Sequence, residues 1–66
     1  MRLTREIIKA ITRDYFEEFP NLREELYKFN FEELTPKIVE KIFRKIKRNS
    51  NQKTAMEIGK KILELK

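Results

Sequence analysis

Cysteine, histidine and tryptophan are absent from the 66-residue sequence, which has one glycine and two prolines. Without thiol or imidazole groups the chain has no disulfides, no Cys/His zinc site and no histidine to act as a general base. A single glycine also excludes a glycine-rich loop that cradles phosphates. Stability must therefore come from packed helices or from a partner.

The short length limits both the fold and the chemistry. A chain of 66 residues forms one domain at most, so we expect a single helical domain over residues 1–66. A domain of this size buries only about 60% of the surface that its unfolded chain exposes, so its core is marginal. Typical ligand pockets of about 300 Å³ or more have little room in it. Ser50 has no histidine to activate it, and adjacent glutamates lean to different sides of their helices. The sequence predicts no enzyme activity, no metal site and no cofactor.

Long apolar runs are missing as well. No segment approaches the roughly 20 apolar residues of a membrane span, and no apolar segment follows Arg2 and Arg5. Attachment to a membrane surface is disfavoured, because the apolar side of the most basic helix is needed for the core. We therefore expect a cytoplasmic protein that does not bind membranes.

Apolar residues recur at intervals of three and four along nearly the whole chain, a spacing typical of amphipathic helices. The sequence predicts an all-α fold, a compact bundle of three to four short helices with one extra helical turn near residues 31–34. Helix one is expected over about residues 4–18, because a residue before proline, here Phe19 before Pro20, disfavours helical backbone.

Start signals divide the remainder of the chain. Asn21 with Glu24 forms a potential capping box for helix two, and Thr35 followed by Pro36 predicts the start of helix three. Ser50 or Asn51 is expected to cap helix four. The predicted helices end near Lys28, near Arg48 and close to Lys66.

Charge is distributed unevenly within a net charge of +5. Residues 1–13 have four basic side chains and one acid, residues 14–33 have two and seven, and residues 34–66 have ten and three. This separation allows one face of the protein to attract an anionic partner while another repels it.

The leading candidate site is a row of basic side chains on helix three. On a helical projection the other three members fall within about 40° of Lys37, opposite the isoleucines. This helix-three row consists of Lys37, Lys41, Arg44 and Arg48. Lys45 flanks it, and Lys53 follows at the start of helix four. At 1.5 Å per residue the row is about 16 Å long, enough to contact several phosphates of DNA or RNA.

A second row lies on helix one, where basic side chains fall within about 80° of one another. This helix-one row consists of Arg2, Arg5, Lys9 and Arg13. If both rows share one face they form a basic groove, and otherwise they only spread charge. The lead hypothesis is a small basic protein that binds nucleic acid through phosphate contacts, with weak sequence specificity.

The acidic segment 14–33 suggests a second hypothesis, because it contains six of the seven aromatic residues of the chain beside its seven acidic residues. The rings either fill the core or form a protein-binding face. The alternative is thus a protein-binding regulator or inhibitor of the phage or mobile-element type, or a chain that docks an acidic protein on its basic row. A ligand-free bundle, natural or designed, is a third reading. The interface candidates are Tyr15, Phe16, Phe19 and Tyr27.

Helix four carries apolar residues around about half of its circumference. Ala55 and Gly59, one turn apart, allow another helix to approach closely. The neighbour is expected to be helix one or helix three, and a homodimer through helix four is the alternative.

Overall fold

The computed structural model describes residues 1–65 and contains four α-helices in that range. They are α1 (Arg5–Thr12), α2 (Pro20–Tyr27), α3 (Pro36–Asn49) and α4 (Gln52–Glu64), with a 3₁₀-helix over Arg13–Tyr15. The predicted small all-α bundle is confirmed. The longest described helix has 14 residues, fewer than the roughly 20 apolar residues that would reach across a bilayer.

The helices are arranged as a closed ring around one core. α1 packs against α2 and α4, and α3 packs against the same two helices. α1 and α3 have no packing of comparable extent between them, so they occupy opposite corners of the bundle. The buried apolar side chains in the centre are Leu3, Ile8, Ile11, Leu22, Leu26, Leu34, Ile42, Ile46, Ala55, Ile58 and Ile62.

Side-chain caps begin three of the helices. Thr4, Thr35 and Asn51 each accept a hydrogen bond from the amide three residues ahead, at 3.2, 3.3 and 2.8 Å. Such caps stabilise a helix by about 0.5–2 kcal/mol each. The predicted starts of helices three and four are therefore confirmed.

Helix one is shorter than predicted, since α1 ends at Thr12 rather than near residue 18. The buried Thr12 hydroxyl donates a hydrogen bond to the carbonyl of Ile8 at 2.8 Å, a bond that competes with regular helix and bends it. The next three residues tighten into the 3₁₀-helix, which rotates later side chains away from their ideal α-helical directions.

The predicted capping box of helix two is wrong. α2 begins at Pro20, one residue before Asn21, and Phe19 occupies the N-cap position without a side-chain cap. Proline suits the first helical position because its φ is fixed and its missing N–H would have no partner there.

The predicted extra turn at residues 31–34 is not helical. Arg2 and Glu33 form an isolated antiparallel bridge, and Phe31 adopts a left-handed φ of 72°. The Leu3 amide donates to the Glu32 carbonyl, and the Phe31 amide to the Leu3 carbonyl, both at 2.9 Å. A single helical turn is costly to nucleate. Residues 31–34 therefore form backbone hydrogen bonds with the first residues of the chain instead of a helical turn.

Candidate nucleic-acid interface

The helix-three row is held outward by the opposite face of α3. Ile42 and Ile46 lie on that face and are buried in the core. Because the row projects on the side of the helix opposite these isoleucines, its four side chains face solvent, and all four residues are exposed. The structure therefore brings Lys37, Lys41, Arg44 and Arg48 together on one surface.

Carboxylates reach this surface at two points. Arg44 pairs with Glu40 of the same helix at 2.7 Å, and Lys45 pairs with Glu25 of α2 at 3.3 Å. Within residues 1–65 the other three members of the helix-three row form no ion pair. The exposed pair between Arg44 and Glu40 contributes little energy and exchanges readily with other anions. The row thus keeps most of its positive charge.

Glu25 of α2 lies at the edge of this surface, beside Lys45. Its carboxylate accepts hydrogen bonds from Lys28 and Lys45, which lower its pKa below the ordinary glutamate value. Its contribution to stability is therefore present above that ordinary value and is lost as pH falls through the lowered pKa. At neutral pH Glu25 stays ionised and holds Lys45 toward α2.

A shallow pocket of about 200 Å³ lies beside the helix-three row. Its lining side chains are Phe29, Lys41, Arg44, Lys45 and Arg48, and we call it the Phe29 pocket. Phe29 follows α2 and packs its half-buried ring against the core. The sequence prediction included the four basic residues but omitted Phe29. The only sequence feature that pointed to Phe29 was its place among the clustered aromatic residues, because Phe29 lies outside any regular helix.

The helix-one row lies on another side of the molecule. Lys9 and Arg13 are exposed, and Arg5 places its guanidinium 4.4 Å from the centre of the Tyr27 ring. α1 and α3 are diagonal in the bundle, and each directs its basic row away from the shared core. The two rows consequently do not form one groove. Lys53 is exposed in the first turn of α4, shortly after the end of the helix-three row.

Tyr15 connects the 3₁₀-helix to α4. Its hydroxyl donates a hydrogen bond to the Glu57 carboxylate, and Lys61 pairs with the neighbouring Asp14 at 3.2 Å. The bond to Glu57, together with burial and nearby negative charge, raises the pKa of Tyr15 to about 12. The phenol is therefore neutral at physiological pH, and this predicted interface residue is engaged within the chain.

The other proposed protein-interface rings differ in their exposure. Phe19 and Tyr27 are half-buried and pack against the core. Phe16 is 42% exposed, and the Arg23 guanidinium stacks 4.0 Å from the centre of its ring. Segment 14–33 thus presents one of its four predicted interface rings to solvent, and an arginine partly covers that ring.

A wider apolar groove of about 430 Å³ lies on the surface between α3 and α4, larger than the roughly 300 Å³ for which the sequence predicted little room. Met56 and Leu63 line it and are exposed, at 54% and 60%. A Cβ on Gly59 would lie 3.6 Å from the Phe43 ring, so helix three is the close neighbour of this glycine. The groove is where a homodimer through helix four would form, and that dimer stays a prediction.

Neither metal-ligand geometry nor similarity to known proteins indicates a function for this chain. Within residues 1–65 no group of three acidic side chains is placed to hold a metal ion. The sequence matches no protein-family model, no curated protein and no solved structure.

Proposed function

We propose that this protein binds nucleic acid through the helix-three row, mainly by contacts to phosphates. The observation that supports this proposal is the row itself: four exposed basic side chains in line, three of them outside any ion pair in residues 1–65. In this proposal the chain is a cytoplasmic binding protein rather than an enzyme, and it needs no cofactor.

Phosphate binding by such a row depends on release of counterions from the nucleic acid. If about four phosphates are neutralised, the logarithm of the binding constant falls with the logarithm of salt concentration, with a slope of about −3 to −4. Between 50 and 200 mM salt this slope corresponds to a loss of about 60- to 250-fold in affinity. Most of the affinity would be independent of base sequence.

The protein-binding alternative receives less support from the same side chains. Three of its four rings pack against the core or bond within the chain, and the fourth is stacked by Arg23. Hot spots in protein interfaces need accessible aromatic anchors. We therefore prefer the nucleic-acid proposal.

Fluorescence anisotropy with a labelled oligonucleotide tests the proposal directly. We expect a dissociation constant of about 10⁻⁴ to 10⁻⁶ M near physiological salt, as for non-specific binding, and the steep weakening described above between 50 and 200 mM salt. Absence of binding at 50 mM salt, or an affinity that does not change with salt, would contradict the proposal. The first result would favour a ligand-free bundle.

A further inference from the structure

We infer that the ligand is a single-stranded nucleic acid and that one of its bases stacks against Phe29. This inference rests on the proposed function and names the ligand class of the same surface. It goes beyond phosphate binding because it assigns a site to the base as well as to the backbone.

The composition of the Phe29 pocket supports this ligand. One aromatic ring and four basic side chains line it, and no carboxylate does. Proteins that bind single strands combine basic side chains along the backbone with aromatic rings on which bases stack. The faces of duplex bases are occupied by neighbouring bases, so the ring would have no base to stack on. An aromatic ring in the lining of a cationic pocket therefore favours an unpaired strand.

The backbone around Phe29 holds the ring in place. The Phe29 amide donates to the Leu26 carbonyl at 3.0 Å at the end of α2, and the ring packs against the core. A stacking ring fixed in this way loses little conformational freedom when a base binds.

Two other aromatic rings, which are more exposed than Phe29, are less suited to stack against a base. Phe16 is already stacked by Arg23. Phe31 is 67% exposed, but its pocket also contains the Glu6 carboxylate, and Arg5 in that pocket lies over the Tyr27 ring. Phe29 is therefore the ring that best combines an aromatic surface with free positive charge.

The basic side chains of the pocket divide into two groups. Lys41 and Arg48 form no ion pair in residues 1–65, and Arg44 has only its exposed pair with Glu40 to exchange. These three are available to phosphates on either side of the stacked base. Lys45 is held by Glu25, so its aliphatic stem serves as a wall of the pocket.

The experiment compares three ligands of equal length: oligothymidylate, a strand with the same backbone but without bases, and a duplex. A stacked base contributes about 1–3 kcal/mol, which corresponds to about 5- to 150-fold in affinity. We expect the unmodified protein to bind oligothymidylate more tightly than the baseless strand by a factor in this range. We also expect it to bind oligothymidylate more tightly than the duplex.

Phe29→Leu keeps an apolar side chain for the core but removes the stacking ring. We expect this variant to lose the preference for oligothymidylate and to bind the baseless strand as the unmodified protein does. Phe16→Leu is the matched control, because it removes a ring remote from the pocket, and its preference is expected to be unchanged. Circular dichroism checks that both variants are folded.

The outcomes separate this inference from the proposed function. Equal binding of oligothymidylate and the baseless strand by the unmodified protein would overturn base stacking and leave phosphate binding intact. That comparison needs no variant, so it decides even if Phe29→Leu fails to fold. Tighter binding of the duplex, or an equal effect of Phe16→Leu, would also overturn the inference. Absence of binding to all three ligands at 50 mM salt would instead overturn the proposed function.

Discussion

The double variant Lys41→Glu with Arg48→Glu is expected to bind an oligonucleotide about 100-fold more weakly at 50 mM salt than the unmodified protein. Both side chains belong to the helix-three row, are exposed and form no ion pair in residues 1–65. Their removal halves the number of phosphates that the row can neutralise, and the new carboxylates repel the backbone. The salt dependence should become correspondingly shallower. Anisotropy titrations at several salt concentrations measure both effects.

The chain offers a closely matched control in Lys9→Glu with Arg13→Glu. These residues are also exposed, and this double variant likewise lowers the net charge from +5 to +1. They lie on the opposite corner of the bundle, so we expect a loss of less than about five-fold, through long-range attraction alone. Equal losses for both double variants would mean that affinity follows net charge rather than the α3 surface, and would contradict the proposed site.

Ile58→Ala is expected to reduce the free energy of unfolding by about 3–4 kcal/mol. Ile58 is completely buried in α4, and its truncation leaves a cavity at the centre of the helical ring. A domain of 66 residues has a total stability of about 3–10 kcal/mol, so this variant should be substantially unfolded or close to it. Urea denaturation followed by circular dichroism measures the change.

Leu63→Ala is the control on the same helix. Leu63 is 60% exposed in the apolar groove, so its truncation is expected to change stability by no more than about 0.5 kcal/mol. A large cost that grows with protein concentration would contradict this expectation for the monomer. It would mean that the groove is covered in an assembled form, as in the predicted homodimer through helix four.

The starts of α3 and α4, which depend on local chemistry, were predictable, whereas the local capping box expected for α2 does not form. Thr35 followed by Pro36, and Asn51, start α3 and α4 because each cap bonds to an amide three residues away. The end of α1 was not predicted correctly, because it depends on the Thr12 hydroxyl and on the hydrogen bond from Tyr15 to Glu57 of α4. Residues 31–34 were missed for a similar reason, since their partners come from the start of the chain.

The candidate site likewise has one part that was predictable from local sequence and one part that was not. Periodicity predicts the helix-three row, because a regular helix fixes which side chains share a face. Phe29 joins that row only through the packing of α2 against α3, which no local pattern encodes. The separation of the two basic rows is likewise a property of the ring of helices. Sequence alone left open whether α1 and α3 share a face.

The ring of helices also has a kinetic consequence. Each of the first three helices packs against the helix that follows it in the chain, and the contact between α1 and α4 closes the ring. Chains whose contacts connect near neighbours lose little loop entropy before those contacts form, and helical bundles accordingly fold in microseconds to milliseconds. We expect relaxation on this timescale after a temperature jump, and a time constant of seconds would contradict it. A chain that folds this quickly exposes its apolar faces only briefly, so it has little opportunity to aggregate.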